Sequence, residues 1–87
     1  MRFEWDPVKN ALNIRKHGLS FEDAHLVFAE LVVSGDDTRH TYGEARSISY
    51  GLLRGRLVQV VHTTRGDTIR IISMRKANAR EQARYQE

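Results

Sequence analysis

The spacing of apolar residues predicts a first helix after a short strand candidate at Phe3–Trp5. Asp6 is a typical N-cap, and Pro7 suits the first helical position. The helix is expected to run to about His17, with Gly18 as its left-handed C-cap. At 3.6-residue spacing, one face of this helix carries Val8, Ala11, Leu12 and Arg15.

A second helix is predicted after Ser20, which is again a typical N-cap. Glu22 and Asp23 fall in its first turn, where carboxylates meet the positive end of the helix dipole. Its apolar stripe consists of Phe21, Ala24, Phe28 and Leu31.

Three strands are predicted in the second half of the chain, after a possible strand at Leu31–Ser34 and a polar loop at Gly35–Gly43. These strands are Arg46–Leu53, Arg56–Thr64 and Thr68–Met74. The turns between them are so short that consecutive strands should run antiparallel, as a meander. The middle strand is apolar on both faces, as expected at the centre of a sheet.

From about Arg75 the pattern is helical to the end of the chain. Its only apolar residues are Ala77, Ala79, Ala83 and Tyr85. Such a helix buries little area, so we expect it either to fray or to dock on a partner. The whole pattern predicts one α+β domain over residues 1–87, a small antiparallel β-sheet with two N-terminal helices and one C-terminal helix packed on it.

The net charge of +3 conceals an uneven distribution along the chain. Residues 1–45 contain five Lys or Arg and eight Asp or Glu, whereas residues 46–87 contain nine and three. The second half is therefore strongly basic, mostly through Arg. A basic surface of this kind attracts polyanions, although it can also be an ordinary solvated face.

The chain has no cysteine, which excludes disulfides and thiolate metal sites and fits a reducing cytoplasm. It shows no apolar run long enough to span a membrane, and residues 1–7 do not resemble a signal peptide. We therefore expect a cytoplasmic protein.

Cations on the last predicted strand suggest a cleft that binds phosphate. Arg70, Arg75 and Lys76 interrupt the apolar, β-branched segment TIRIISMRKA, and the guanidinium fork matches phosphate. In a regular strand Arg70 faces one side, while Ser73 and Arg75 face the other. The two arginines can then line one cleft only if the strand contains a bulge or bends at its end. Alternatively, Arg70 lies on an open face and pairs with a carboxylate.

Three histidine positions have different expected roles. His17 closes the first helix, where it either stabilises the helix dipole or acts as a general acid or base. His62 lies in the middle of a strand and is expected to be structural. Asp36-Asp37 with His40 comes nearest to a metal-ligand cluster, but it falls in a loop without an ordering signal, so we expect no metal site.

Two blocks of the sequence together resemble a known family. The first is KHG-x-SFE-x-A, from Lys16 to Ala24, and the second is IRIIS-x-RKA, from Ile69 to Ala77. Either block alone is weak, but the pair is specific. The chain resembles the BrnT family of ribonuclease toxins from bacterial type II toxin–antitoxin modules, over nearly its whole length from Phe3 to Tyr85.

The resemblance implies a fold similar to that of RelE-like toxins and an endoribonuclease activity. It also implies a BrnA-like antitoxin that holds the toxin inactive in a hetero-oligomer. The antitoxin would carry the DNA-binding domain, so this chain would meet DNA only indirectly.

The residue chemistry is compatible with this function. RNA is cut without a metal or cofactor when the 2′-hydroxyl attacks the adjacent phosphate, provided that charge on the phosphoryl oxygens is stabilised and protons are transferred. The predicted catalytic residues are His17, Arg46, Arg70, Arg75, Lys76 and Tyr85. The predicted RNA-binding residues are Lys16, Arg56, Arg65 and Ser73. For Tyr85, proton transfer, base stacking and simple anchoring of the last helix all remain open.

Two other functions remain open. The chain could be a non-catalytic module of the same fold that only binds RNA or a partner. Direct DNA binding is a weaker alternative, because no helix shows a base-reading face and the basic residues lie on strands. If the chain is a toxin, we expect an acidic or amphipathic antitoxin segment to cover its basic side.

Overall fold

The computed structural model describes residues 1–38 and 45–86. The strands are β1 (Arg2–Trp5), β2 (Leu31–Asp36), β3 (Ser47–Leu53), β4 (Arg56–Arg65) and β5 (Thr68–Lys76). The helices are α1 (Pro7–His17), α2 (Ala24–Ala29) and α3 (Ala79–Tyr85), with a 3₁₀ turn at Phe21–Asp23 before α2. No helix in the described part of the chain is long and apolar enough to cross a membrane.

The five strands form one mixed sheet in the order β1-β5-β4-β3-β2. The predicted meander of β3, β4 and β5 is confirmed, since each pairs antiparallel with the next. The prediction of a purely antiparallel sheet is wrong, because β1 pairs parallel to β5, with Arg2 opposite Thr68. The long connection from β1 through the meander makes this parallel pairing possible.

One face of the sheet carries the main apolar core. Val58 and Val60 of β4 and Met74 of β5 pack there against the 3₁₀ turn and α2, whose Phe21 and Val27 are fully buried. We call this the helix-covered face. The opposite face carries a smaller apolar cluster around Tyr50, Leu57 and Ala77, with Tyr85 of α3 packed against it.

The second helix is shorter than predicted. The segment after Ser20 begins as a 3₁₀ turn, and α2 ends at Ala29, so that Leu31 starts β2 instead of extending the helical stripe. Gly51 of β3 explains how α2 lies so close to the sheet. A Cβ atom at this position would lie 2.1 Å from the backbone oxygen of Val27.

The orientation of α1 reverses what its apolar spacing indicates. Apolar residues at helical spacing usually face a core, but Val8 and Leu12 are 68% and 55% exposed. The buried residue of α1 is Asn13. This helix is therefore attached to the sheet by hydrogen bonds and leaves its apolar stripe in solvent.

The end of the chain also differs from prediction. β5 continues to Lys76, so Arg75 and Lys76 belong to the strand, and α3 begins only at Ala79. No residue of α3 is fully buried. The helix nevertheless packs on its own sheet, because Tyr85 stacks on Tyr50 with ring centroids 4.8 Å apart.

Candidate active site

Local signals determine where α1 begins and ends. The Asp6 carboxylate accepts a hydrogen bond from the Val8 backbone N–H at 2.8 Å, and Pro7 occupies the first turn. At the other end Gly18 has a φ of 71°, and its N–H donates to the carbonyl of Ile14. A non-glycine residue adopts this left-handed conformation with difficulty, so the helix stops at His17.

Asn13 attaches α1 to the outer edge of β5, beyond the end of β1. Its Oδ1 accepts a hydrogen bond from the Met74 backbone N–H at 3.1 Å, and its Nδ2 donates to the Leu19 carbonyl at 2.9 Å. The amide thus satisfies a strand-edge donor that no neighbouring strand reaches. Since His17 lies one turn further along α1, Asn13 determines its position against β5.

A β-bulge in β5 resolves the question of which face its cations share. Val61 pairs with Ser73 and His62 with Ile71, so that Ile72 is an extra residue in the strand. Beyond this extra residue the alternation of faces is reset. Residues opposite each other in adjacent strands share a face, and Thr63, Val61 and Gln59 lie opposite Arg70, Ser73 and Arg75 respectively. All three β5 residues are therefore on the face opposite the helix-covered one.

The bulge and the last turns of α1 form a concavity of about 200 Å³. It is lined by Lys9, Leu12, Asn13, Lys16, His17, Ile72 and Ser73. Burial, together with the neighbouring charges of Lys16 and Arg75, lowers the pKa of His17. A lowered pKa favours the neutral imidazole, which is the form that can accept a proton.

Arg75 also belongs to a polar network that sequence reasoning missed. Its Nη1 and Nη2 donate to the two carboxylate oxygens of Glu81 at 2.8 and 2.9 Å. The Tyr50 hydroxyl donates to Glu81 at 2.5 Å and accepts from Gln59 at 2.8 Å. The hydrogen bonds from Arg75 lower the pKa of Glu81 to about 2, while burial raises the pKa of Tyr50. We call these four residues the Glu81 network.

A sequence signal for part of this network exists in the start of α3. Asn78 and Glu81 have the spacing of a capping box, and both reciprocal hydrogen bonds are present. This capping box predicts a helix that begins after Asn78, whereas the pattern of residues alone predicted one from about Arg75. The contacts of Glu81 with Tyr50 and Arg75 are long-range, and no local pattern indicates them.

Arg70 lies at the other end of β5, where it pairs with a carboxylate. Its Nη1 is 2.7 Å from Oε2 of Glu4 on β1. Arg46 immediately precedes β3, and the register of β3 with β4 brings it opposite Thr63, the cross-strand neighbour of Arg70. The two arginines therefore flank Thr63 on the same face, and they are separate from the concavity.

Tyr85 lies at a second concavity, of about 280 Å³, between β2, β3 and α3. This concavity is lined by Val33, Ser34, Gly35, Asp36, Ile48, Tyr50 and Tyr85. The concavities have no lining residue in common. Tyr85 was predicted together with His17 as a catalytic residue, but the structure places the two residues at different concavities.

The remaining predicted residues are dispersed. Lys76 pairs with Val58, which belongs to the helix-covered face, so Lys76 is directed away from Arg75. Arg56 begins β4 and Arg65 ends it, so they lie at opposite ends of the sheet. Both are exposed residues beside turns.

His62 is buried in the helix-covered face, as its strand position predicts. Its Nε2 is hydrogen-bonded to the Ser49 hydroxyl at 2.7 Å, and the Phe28 ring packs edge-on against it. Burial lowers the pKa of His62. His40 of the weak metal candidate lies outside the described residues, and within residues 1–38 and 45–86 no group of three or more His, Cys, Asp or Glu could hold a metal ion.

Comparison with known proteins identifies one family. A family model described as "Ribonuclease toxin, BrnT, of type II toxin-antitoxin system" matches residues 5–81. The match includes α1, the sheet from Trp5 onward and the start of α3. A search of curated proteins found no match.

Proposed function

Because the chain belongs to the BrnT family of ribonuclease toxins from type II toxin–antitoxin systems, we propose that it is an endoribonuclease whose reaction site is the concavity between α1 and β5. The observation that carries this proposal is that His17, Lys16 and Ser73 line one concavity at the bulge of β5. The fold is proposed to be RelE-like, and the protein is proposed to act in the cytoplasm.

The proposed reaction needs no metal ion. His17 accepts the proton of a ribose 2′-hydroxyl, whose oxygen then attacks the adjacent phosphorus. The bond from phosphorus to the 5′ oxygen breaks, which leaves a 2′,3′-cyclic phosphate on one product and a 5′-hydroxyl on the other. The leaving 5′ oxygen takes up a proton from water, and the imidazolium of His17 returns its proton to the solvent, so that atoms and charge balance.

The cations beside His17 have different proposed roles. Lys16 is exposed at the rim of the concavity, where its ammonium can contact a phosphoryl oxygen. Arg75 has both terminal nitrogens on Glu81, so we assign it an electrostatic role on His17 and the phosphate. Ser73 lines the concavity from the strand side and supplies a hydroxyl to the substrate.

The rest of the RNA is proposed to follow the sheet face opposite the helix-covered one. Arg46 and Arg70 flank Thr63 on this face and can contact backbone phosphates. Tyr85 at the second concavity is assigned base stacking, since every base has a face that stacks on an aromatic ring. Proton transfer at the reacting phosphate is assigned to His17 instead.

One observation favours the second candidate function, a module that binds RNA or a partner without cutting. Arg70 pairs with Glu4 and Arg75 with Glu81, both within hydrogen-bonding distance. Such pairing reduces the positive charge that is available to stabilise the phosphate in the transition state. Both functions involve binding to RNA, so affinity does not distinguish them. The ribonuclease leaves cleaved RNA, whereas the binding module leaves the RNA intact.

The test is cleavage of a short single-stranded RNA by the purified chain in the presence of EDTA. We expect cleavage with a 2′,3′-cyclic phosphate end, and we expect a substrate with 2′-deoxyribose at the cut position to resist. His17→Gln should reduce the rate by about 100-fold or more, the usual effect of losing a general base. His25→Gln is the matched control, because His25 is exposed on α2 and its ring is hydrogen-bonded to the nearby Glu22 carbonyl.

Intact RNA after incubation with folded protein would favour the binding module. Cleavage that survives His17→Gln unchanged would move the reaction away from this concavity. A BrnA-like antitoxin is the proposed partner, and contact with DNA is proposed to occur only through it.

A further inference from the structure

The apolar side of α1 faces solvent and has no counterpart in the described part of the chain. Val8 is 68% exposed and Leu12 55%, and Ala11 between them is also exposed. We call these three residues the outer stripe. Asn13 on the opposite side makes the contacts with β5, so the outer stripe contributes nothing to the main core.

The outer stripe is bordered by positive charge. Lys9 and Lys16 follow Val8 and Arg15 by one position each, which at about 100° per residue places both on the same flank. The last turn contains Arg15, Lys16 and His17, and the first turn has no acidic residue. An apolar strip with a cationic border is complementary to an amphipathic segment with an acidic border.

The same flank leads directly into the candidate reaction site. Lys9, Leu12 and Lys16 line the concavity that contains His17. Leu12 therefore belongs both to the outer stripe and to the wall of the concavity. Anything that packs along the outer stripe and contacts its cationic border also covers the entrance to His17.

We propose that the antitoxin lays an amphipathic segment with an acidic border along the outer stripe of α1 and thereby covers the concavity. Neutralisation then operates by direct exclusion of RNA from His17. The existence of an antitoxin partner follows from family membership, and the exclusion of RNA rests on the function proposed above. The location of the docking surface rests on α1 itself.

The charge around the outer stripe argues against a second copy of this chain as its occupant. Two copies packed through α1 would bring the Lys9 and Lys16 ammoniums of each against a helix with the same cations. Like charges brought together at an interface oppose association. A partner with carboxylates in the matching positions gains the attraction instead.

The test compares affinities of the purified antitoxin for variants of the free chain by calorimetry. Val8→Asp combined with Ala11→Glu makes the outer stripe acidic while it leaves the lining of the concavity intact. Asp suits the first turn of a helix and Glu is a good helix former, so α1 should remain folded. We expect the affinity to fall by about 30-fold or more, since the two new carboxylates would face the acidic border of the partner and like charges oppose association.

Val32→Glu is the matched control, because Val32 is 44% exposed on β2, away from α1. It should bind the antitoxin like the unmodified chain. Equal affinity of the α1 variant and the unmodified chain would overturn the proposal, as would a loss confined to Val32→Glu. Circular dichroism and thermal melting establish that each variant is folded before binding is measured.

A second measurement separates this proposal from the proposed function. A single-stranded RNA with 2′-O-methyl riboses cannot be cut, and it should compete with the antitoxin for the unmodified chain. If the chain fails to cut RNA but Val8→Asp with Ala11→Glu loses antitoxin affinity, the docking surface stands and the ribonuclease function fails. If cutting is normal and the affinity is unchanged, the docking surface fails and the function stands.

Discussion

The two faces of the sheet are stabilised by different kinds of interaction. The helix-covered face buries apolar side chains such as Phe21, Val27 and Met74 almost completely. On the opposite face α3 has no fully buried residue, and its attachment depends on the Glu81 network and on Tyr85. Apolar burial is largely independent of pH and salt, whereas an ion pair depends on both. The helix-covered face therefore maintains the fold, whereas the attachment of α3 to the opposite face depends on pH and salt.

The largest expected loss of stability comes from adding a side-chain atom where α2 contacts β3 on the helix-covered face. Gly51→Ala places a methyl group 2.1 Å from the Val27 carbonyl oxygen and 2.9 Å from Val27 Cγ1, so α2 must move off β3. We expect the free energy of unfolding to fall by about 3 kcal/mol, at the upper end of overpacking costs. Urea denaturation measures this loss.

Gly35→Ala is the control for Gly51→Ala, because a Cβ atom at Gly35 of β2 meets nothing within 4 Å. It should leave stability nearly unchanged. If the two alanine variants are equally stable, α2 is not held against β3 as closely as the structure indicates.

On the opposite face, Glu81→Gln should loosen α3 with a smaller loss of stability. Gln retains the capping-box geometry at this position but removes the charge that binds Arg75. We expect a loss of about 2 kcal/mol, typical of truncating a hydrogen bond to a charged group. Glu30→Gln is the control, since Glu30 is exposed and its known contacts are through the backbone.

Acid should reproduce the effect of Glu81→Gln in the unmodified chain. The pKa of Glu81 lies at about 2, below its ordinary value of 4.5. Its contribution is therefore complete above about pH 4.5 and is lost as the pH falls towards 2, by an amount similar to the loss from Glu81→Gln. The fall should be smaller in Glu81→Gln, and an equal fall in both chains would contradict the role of this carboxylate.

The smallest expected effect is a second dependence of stability on pH, which arises from a histidine buried in the helix-covered face. Burial lowers the pKa of His62, so the unfolded chain takes up a proton near pH 6.5 before the folded chain does. Stability should be complete above this pH and decline as the pH falls below it. Denaturation at pH 7.5 and 5.5 measures the decline, which His62→Gln should reduce.

The pKa of His17 is lowered as well, so His17 contributes to the same pH range as His62. His17→Gln therefore serves as the comparison for His62→Gln. We expect the larger reduction from His62→Gln, since His62 is buried and His17 is only half-buried. The opposite order would mean that the helix terminus, not the core histidine, governs stability in this range.

Local signals made much of the fold predictable. The caps Asp6 and Gly18 define α1 within a few residues of chain, and Gly55 and Gly66 mark the two tight turns with positive φ angles. The meander follows from those turns. The parallel pairing of β1 with β5 was not predictable in this way, because nothing near Arg2 indicates Thr68 as its partner.

The candidate site was less predictable, for a related reason. Residue type and the family resemblance identified His17, Lys16 and Ser73, which the structure brings to one concavity. Which face each β5 cation occupies depends on the extra residue Ile72, and a bulge leaves no clear trace in the alternation of a mostly apolar strand. The outward orientation of α1 depends on Asn13 meeting a backbone N–H far along the chain.

The attachment of α1 to β5 has a consequence for synthesis of the protein. Asn13 accepts a hydrogen bond from the Met74 N–H, and the two residues are 61 positions apart in the chain. His17 is therefore translated long before β5, the strand beside which it lies. Contacts at such separation form late in folding. A ribosome with an unfinished chain therefore holds no assembled concavity, and a message that ends before β5 yields a fragment that lacks this concavity.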